Sequence, residues 1–323
     1  MTLLHDHGAA DVSAHAAARA WHQLHTGRAP VTIEAVKFPN WKKSTTSIYR
    51  LHGCASGPVI AKRCRAAKLA VERRVYLEVL GSLGMDLPYC YGYAADQDGV
   101  SGWLFLEQVS GKRYSEDDAR HRSLASSWLG RMHRVTNGLA LASILPPVTM
   151  ERYRRLFDFS LAAFIRCGAR HNLENDLLVA VRSAVRSLER LAPHWSTIEA
   201  LWAQTPPCLV HGDFIAKNAL IDESGGEPRI RVLDWEASGW GCPAEDLAGL
   251  DIRVYGRHAG ALWKDFGEER LQLLADIGSA LRAVGFLKVY SGVVPERIVH
   301  VADDIAGYAR QLEAAEERLG FLP

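Results

Sequence analysis

The sequence lacks the features that mark secreted and membrane-spanning chains. Its six cysteines show no C-x-x-C spacing and several lie in apolar runs, which indicates reduced and mostly buried thiols. No N-terminal apolar run resembles a signal peptide, and no stretch approaches the ~20 apolar residues that a membrane span requires. We therefore expect a cytoplasmic protein with no membrane partner.

The chain also lacks an excess of charge of one sign. Its formal net charge is +1, and acidic and basic residues alternate along the sequence. A nucleic-acid partner usually requires a clustered basic patch, so we expect none here. The length of 323 residues and the hydrophobic fraction of 48% suffice for two cores, and we expect a monomer or homodimer.

The most informative segment spans residues 208–236 and reads CLVHGDFIAKNALIDESGGEPRIRVLDWE. Apolar runs on both sides predict that the turn His211-Gly212-Asp213 is held between buried strands. A further apolar run, residues 230–233, predicts a strand that ends at Asp234. A lone Asp in a turn is usually only an exposed turn former, but the flanking runs favour a functional site.

The residue types in this segment suit phosphoryl transfer. A hydroxyl that attacks the terminal phosphate of ATP needs a carboxylate to orient it and accept its proton, and Asp213 suits that role. Magnesium prefers hard oxygen ligands such as the Asn218 amide and the Asp234 carboxylate. Lys217 is a further candidate that would stabilise charge on the transferring phosphoryl group, with an exposed lysine as the alternative.

The order H-x-D-x-x-x-x-N, followed by an Asp after a β-hairpin, matches the catalytic-loop and metal-loop signature of protein kinases. With Gly212 in place of arginine and Asp-Trp-Glu in place of Asp-Phe-Gly, it resembles the aminoglycoside phosphotransferase and choline kinase group. The resemblance implies an α+β, bilobal protein-kinase-like fold. Its N-lobe would be a small antiparallel sheet with one main helix, and its C-lobe would be larger and mostly helical. It also implies ATP and Mg²⁺ as cofactors.

Upstream, alternating patterns predict strands over residues 31–36, 47–51 and 58–62. The connection PNWKKSTT has no glycine, unlike the Gly-rich loop of protein kinases, but it resembles the shorter phosphate loop of the aminoglycoside kinases. Ser44 lies where that loop places a serine that contacts phosphate. A plain hairpin turn is the alternative.

Lys62 ends an apolar strand, where its ammonium needs a partner. It matches the V-A-I-K lysine that pairs with the ATP phosphates. Residues 67–83 read as the following helix, on which Glu72 and Glu78 are the candidate partners. Glu72 is favoured because it opens an E-x-x-x-Y-L-x-x-L pattern typical of the family, although a solvated helix face remains the alternative.

Residues 102–111 predict a strand that runs into a polar connection, which in the resembled family joins the two lobes and binds adenine. The resemblance places the gatekeeper at Leu106, the adenine-facing carbonyl at Glu107 and the matching N–H at Val109. Ile60 lies where some members carry an aromatic residue, so the choice between ATP and GTP stays open.

The rest of the chain is predicted to be helical, over residues 121–135, 156–165, 175–191, 195–203, 270–284 and 295–319, with a short helix at 12–24. His133 is interpreted as a packed core histidine. Asp246 lies in a segment that resembles the family's G-x-P-x-x-D-L-A, where it fixes the catalytic loop. The predicted domains are an N-terminal helical extension 1–30, an N-lobe 31–106, a hinge 107–111 and a C-lobe 112–323.

Only eleven residues separate Asp234 from Asp246, and no A-P-E motif is present, which disfavours a regulated protein kinase. The resemblance therefore implies an ATP- and Mg-dependent O-phosphotransferase acting on a small hydroxylated metabolite or antibiotic, which is aminoglycoside-, nucleoside-, sugar- or amino-alcohol-like. The last eighty residues resemble the helices that form the acceptor pocket in this group. A catalytically silent nucleotide-binding protein and a protein kinase on the same fold are the alternatives.

Overall fold

The computed structural model describes residues 12–24, 29–36, 46–96, 98–169, 173–264, 266–291 and 301–320. The chain divides into two compact units. The first comprises the residues up to Tyr114 together with Ile215–Ser238, and the second comprises Ser115–Phe214 and Gly239–Pro323.

The first unit is built on an antiparallel sheet of five strands. In chain order these are β1 (Thr32–Ala35), β2 (Ser47–His52), β3 (Val59–Arg65), β4 (Cys90–Ala95) and β5 (Ser101–Glu107). The strand order in the sheet is β1-β2-β3-β5-β4. The predicted strands correspond to β1, β2, β3 and β5, whereas β4 was not predicted.

One face of this sheet packs against the N-terminal helix α1 (Ala16–Gln23), which follows a 3₁₀ turn at Val12–Ala14. Trp21 of α1 is 1% exposed, and its ring lies 5.2 Å from that of Phe105 on β5. The His15 side chain caps the helix by accepting a hydrogen bond from the Ala17 N–H. These aromatic and aliphatic contacts form the core of the sheet on that side.

The main helix of the first unit departs from the predicted continuous helix over 67–83. Helix α2 (Ala66–Arg74) is followed by one wide π turn at Val75–Val79 and then by a 3₁₀ turn at Gly81–Leu83. The Leu80 N–H donates to the Val75 carbonyl at 2.9 Å, which is the i→i+5 bond of a π-bulge. The bulge rotates the residues beyond it relative to α2.

A second, three-stranded sheet also belongs to the first unit. Strand β9 (Ala219–Asp222) pairs with β10 (Arg229–Val232) in an antiparallel hairpin and with the short strand β6 (Lys112–Arg113) on its other edge. The predicted domain limits placed all three segments in the C-lobe. All three strands instead belong to the first unit, where Arg231 of β10 donates hydrogen bonds to the Leu87 carbonyl and to Glu107.

The second unit is mostly helical. Its helices are α3 (Ala119–Thr136), α4 (Met150–Gly168), α5 (Asn175–Leu191), α6 (Trp195–Ala203), α7 (Ile252–Ala259), α8 (Glu268–Ser291) and α9 (Val301–Gly320). Strand β11 (Gly239–Gly241) pairs with β7 (Pro147–Val148) and β8 (Cys208–Val210). Among the helices that the structure describes, none has both the length and the apolar character to cross a membrane.

Candidate active site

Lys62 is the centre of a buried charge cluster in the first unit. It lies on β3, opposite Leu104 of β5, and only 5% of the residue is exposed. Its ammonium donates hydrogen bonds to Glu72 Oε2 at 2.8 Å and to Asp234 Oδ1 at 2.5 Å. Glu236 Oε2 lies 3.5 Å from the same nitrogen. One cation is therefore surrounded by three carboxylates.

The carboxylates keep Lys62 charged in spite of its burial. Burial by itself lowers the pKa of the Lys62 ammonium, but Glu72 and Asp234 outweigh it, so this pKa lies above its ordinary value. Burial likewise raises the pKa of the Glu72 carboxyl, and Lys62 opposes that rise. The prediction that the strand ends at Lys62 is wrong, because β3 continues to Arg65. The charged Lys62 therefore lies in the middle of β3, where water is largely excluded.

The structure distinguishes between the two helix carboxylates that the sequence offered to Lys62. Glu72 is 1% exposed and contacts Lys62 directly. Glu78 lies beyond α2 in the π turn, its side chain is 46% exposed, and it faces Arg73 at 3.6 Å. Glu236, which follows the predicted metal ligand Asp234, extends the cluster by accepting a hydrogen bond from Lys68 at 2.7 Å.

Asp234 follows β10 in a backbone conformation that side chains disfavour. Its φ of 65° and ψ of 64° lie in the left-handed region, and no other non-glycine residue in the described ranges has a positive φ. Such a residue costs about 1–3 kcal/mol, and it persists where the surrounding structure fixes it. Here the preceding Leu233 N–H donates to the Asn218 carbonyl at 2.8 Å, and Lys62 holds the carboxylate.

Asn218 and Asp234 lie at the same end of one hairpin. Asn218 ends a 3₁₀ turn at Ala216–Asn218 immediately before β9, and Asp234 lies just after β10, the antiparallel partner of that strand. Asn218 is 3% exposed, whereas the neighbouring Lys217 is exposed. The hairpin therefore brings together the two residues predicted to bind magnesium.

These two residues suit a magnesium ion that is also bound by phosphate. Both offer hard oxygen ligands, and Asp234 remains 34% exposed at its side chain while Lys62 holds one of its oxygens. Mg²⁺ in phosphate-transfer sites uses one or two protein carboxylates and completes its shell with water and phosphate oxygens. Across the described residues, no group of three or more His, Cys, Asp or Glu is placed to hold a metal ion. Magnesium bound partly by phosphate needs fewer protein ligands than such a group provides.

In the second unit, Asp246 fixes the backbone that leads into Asp213. Its two carboxylate oxygens accept hydrogen bonds from the His211 N–H at 2.6 Å and from the Gly212 N–H at 2.9 Å. Asp246 is fully buried, so these charge-assisted bonds form away from water. Gly212 has a φ of 73°, a conformation that glycine adopts without strain.

A buried chain of side chains supports Asp246. His133 Nε2 lies 3.3 Å from the Asp246 carboxylate, and His133 Nδ1 lies 2.9 Å from the Tyr255 hydroxyl. The same hydroxyl accepts a hydrogen bond from the Trp263 indole at 3.0 Å. Because a carboxylate only accepts, Nε2 carries a proton, and in the neutral ring Nδ1 accepts from Tyr255. His133 is thus a packed core histidine, as the sequence indicated.

Asp213 itself is partly exposed, and its N–H donates to His211 Nδ1 at 3.3 Å. The charge of Asp213 also acts on Glu245, which sequence reasoning did not single out. Burial raises the pKa of Glu245 to about 7, and the Tyr153 hydroxyl, 2.5 Å away, opposes that rise. The charges of Asp246 and Asp213 raise this pKa further. No local sequence signal marks Glu245, because its partner Tyr153 is 92 residues away.

The residues predicted to contact adenine lie at the end of β5. Leu106 is 6% exposed and pairs with Ile60 across the sheet. The Glu107 N–H donates to the Tyr89 carbonyl at 2.8 Å, and its carboxylate pairs with Arg231 at 2.8 Å. Val109 is partly exposed in the connection that follows. Ser44, the predicted phosphate contact, lies outside the described residues, and the nucleotide roles of the others remain predictions.

Solved structures with the same fold support the prediction of a protein-kinase-like α+β fold. An aminoglycoside phosphotransferase from Alicyclobacillus acidocaldarius matches with a TM-score of 0.56 at 14% identity, over 92% of this chain and 94% of that one. The GDP and kanamycin complex of APH(2″)-IIIa gives a TM-score of 0.61 at 14% identity, over 93% and 97%. Plasmodium vivax ethanolamine kinase gives 0.54 at 11% identity, over 88% and 82%.

At these identities the structural matches establish the fold alone, and the prediction of its class is confirmed. No curated protein matches the sequence significantly. The sequence model of the phosphotransferase enzyme family, APH, matches residues 39–284, which is more than half of the chain. The matched region includes Lys62, Asp213, Asn218 and Asp234. The chain therefore belongs to the APH phosphotransferase enzyme family.

Proposed function

We propose that this protein is an ATP- and magnesium-dependent O-phosphotransferase that acts on the hydroxyl of a small molecule. The Lys62 cluster carries the proposal. A buried lysine bonded to a helix carboxylate at 2.8 Å, with the predicted metal ligand Asp234 at 2.5 Å, supports phosphate binding, because phosphoryl-transfer sites of the kinase type combine a lysine–glutamate pair with a metal-binding aspartate.

In this proposal the first unit binds the nucleotide phosphates. Lys62, held in place by Glu72, contributes a fixed positive charge to the phosphates. Asn218 and Asp234 would hold Mg²⁺, which neutralises phosphate charge when it is bound. Lys217 is exposed in the turn that ends at Asn218, and in this proposal it stabilises negative charge on the transferring group.

Asp213 accepts the proton of the acceptor hydroxyl in this proposal. Its backbone is fixed before the reaction, because Asp246 bonds the two preceding N–H groups. Fixing the base in advance reduces the entropy cost of reaching the reactive geometry. The carboxylate of Asp213 stays partly exposed, as a group that must meet a substrate requires.

The segment after Asp234 supports a small acceptor rather than a protein. Between Asp234 and Asp246 the chain forms a 3₁₀ turn at Trp235–Ala237, the strand β11 and the start of a second 3₁₀ turn. These elements leave little chain for a separate protein-substrate platform. We propose an acceptor of the aminoglycoside, nucleoside, sugar or amino-alcohol kind. Proteins of similar fold include one solved as a complex with kanamycin and one that is an ethanolamine kinase. We further propose a cytoplasmic monomer or homodimer.

Two measurements test the proposed function. Thermal unfolding with Mg-ATP, Mg-GTP or nucleotide without magnesium should show stabilisation that depends on the metal, and Asp234→Asn should lose it. A panel of hydroxylated antibiotics and metabolites, followed by mass spectrometry, should then yield one phosphorylated product. Asp213→Asn should bind nucleotide normally and turn over roughly 10²–10⁴-fold more slowly. Absence of nucleotide binding, or full turnover by Asp213→Asn, would contradict the proposal.

A further inference from the structure

Arg282 is a buried cation in the second unit that lies outside the sequence motifs. It lies on α8 and is only 9% exposed. A buried charge without partners would be strongly unfavourable, so the groups that contact the guanidinium are what hold Arg282 in place. They are the carboxylate of Glu116 and two backbone carbonyls, those of Phe214 and Ala248.

Glu116 holds the guanidinium in one orientation. Arg282 Nη1 and Nη2 donate to the two carboxylate oxygens at 2.8 and 3.1 Å, which is the two-pronged geometry that arginine favours. Gly249 lies against the same carboxylate with a φ of 77°, and a Cβ there would approach Glu116 Oε2 to 2.7 Å. A glycine at this position therefore leaves the space that the ion pair occupies.

The fixed guanidinium reaches the residue that follows Asp213. Nη1 lies 3.5 Å from the Phe214 carbonyl and 3.4 Å from the Ala248 carbonyl. Asp246 already bonds the N–H groups of the two residues that precede Asp213. The backbone is thus held by a buried anion before Asp213 and by a buried cation after it.

We propose that Arg282, oriented by Glu116, is a positioning residue that fixes the loop carrying Asp213 for phosphoryl transfer. The inference rests on the proposed function, in which Asp213 is the base. Arg282 acts on the backbone and not on the substrate, so its loss changes the placement of Asp213 rather than nucleotide binding. A lysine at this position lacks the planar fork of the guanidinium, so it cannot reproduce the two-pronged contact with Glu116 that orients Arg282.

A double-variant cycle with kinetics tests this role. Arg282→Met should lower kcat about 10- to 100-fold, the scale expected for a displaced catalytic group, while KM for ATP stays within about twofold. In an Asp213→Asn background the same substitution should cause no further loss of kcat. Equal losses in both backgrounds would mean a general structural role and would overturn the proposal, as would unchanged kcat.

Conservative and control variants complete the kinetic test. Arg282→Lys should fold and fall between wild type and Arg282→Met, and it carries the cycle if Arg282→Met does not fold. Glu116→Gln should also lower kcat, because it releases the guanidinium. Arg253→Met removes a similar arginine–glutamate pair, Arg253–Glu268 at 2.7 Å, from the surface and should leave kcat unchanged.

Hydrogen exchange separates failure of this inference from failure of the proposed function. Peptides covering residues 208–218 should exchange faster in Arg282→Lys than in Arg253→Met, whatever reaction the wild-type protein catalyses. If the wild type phosphorylates no acceptor but these peptides lose protection in Arg282→Lys, then Arg282 does fix the loop that carries Asp213, and only the proposed function fails. If the wild type phosphorylates an acceptor and the peptides keep their protection in Arg282→Lys, then the positioning role of Arg282 is wrong and the proposed function is unaffected.

Discussion

Removing Lys62 should destabilise the first unit more than removing its helix partner. In Lys62→Met, Glu72 stays 1% exposed and loses its only cation among the contacts that the structure describes for it. In Glu72→Gln, Lys62 keeps Asp234 at 2.5 Å and Glu236 at 3.5 Å. The two variants therefore leave different charges behind, although both break the same ion pair.

The expected sizes follow from burial. Stranding one partner of a buried pair costs about 3–5 kcal/mol, and we expect Lys62→Met in that range. Glu72→Gln replaces a charged hydrogen bond while the cation stays paired, so we expect about 1–3 kcal/mol. The double variant should lose less than the sum, because the fully buried carboxylate of Glu72 is no longer present to be left without its cation. Glu78→Gln, at a side chain that is 46% exposed, should change stability by at most about 0.5 kcal/mol.

The loss in Lys62→Met should also depend on pH. Burial raises the pKa of Glu72, and Lys62 opposes that rise, so removing Lys62 raises the pKa further. A carboxyl with a raised pKa in the folded state stabilises the fold at low pH, and that contribution is lost as pH rises through the folded pKa. The deficit of Lys62→Met should therefore be smaller at pH 5 than at pH 8.

Urea unfolding at the two pH values, followed by Mg-ATP titration of each variant, measures these effects. If Lys62→Met and Glu72→Gln lowered the free energy of unfolding equally, and the two losses added in the double variant, then Lys62 and Glu72 would act independently and the reasoning would be refuted. If Glu78→Gln strongly lowered stability and Glu72→Gln left it unchanged, the partner of Lys62 would be Glu78, beyond the π-bulge, and not Glu72. A pH-independent deficit would mean that Glu72 is not the group left uncompensated.

Three further predictions concern the second unit. Gly278→Ala should destabilise the fold by several kcal/mol or prevent folding, because its Cβ would overlap the Ala244 carbonyl. Gly285→Ala lies in the same helix with open space around the new Cβ, and it should stabilise the fold by about 0.5–1 kcal/mol in thermal unfolding. The pKa of Glu245 is raised from an ordinary value of 4.5 to about 7, so the wild type should lose stability as pH rises from 5 to 8. The loss should be on the order of 3 kcal/mol in urea unfolding, and Glu245→Gln should remove it. Asp246→Asn should lower both stability, by about 1–3 kcal/mol, and kcat, because an amide cannot accept from two backbone N–H groups with the strength of a carboxylate.

Elements with a clear local pattern were predictable from the sequence. Helices α5 and α6 begin and end at the predicted residues, because each has a continuous amphipathic pattern, and Pro206-Pro207 stops α6. Strand β4 was missed because its sequence, CYGYAA, is small and interrupted by Gly92, where the pairing register shifts. Helix α7 was missed because it has only eight residues and a central glycine.

The candidate site divides in the same way. Lys62, Asp213, Asn218 and Asp234 stand in local motifs whose spacing is visible in the sequence, and the structure places Lys62 and Asp234 in contact. Long-range partners leave no such pattern. Arg282 contacts a carboxylate 166 residues away, so only tertiary structure could relate the two. Whether the site residues perform the predicted chemistry remains a prediction that the variants above test.

The backbone of Asp234 adds an argument that the sequence alone could not give. Glycine adopts a φ of 65° without the penalty of about 1–3 kcal/mol that other residues meet, so backbone geometry alone favours glycine at this position. Asp234 instead places a carboxylate 2.5 Å from the Lys62 ammonium, and 34% of its side chain stays exposed. An ion pair needed only for stability gains nothing from a strained backbone or from partial exposure to water. The strain is explained if the position requires a carboxylate that both holds Lys62 and binds the metal ion of the proposed function.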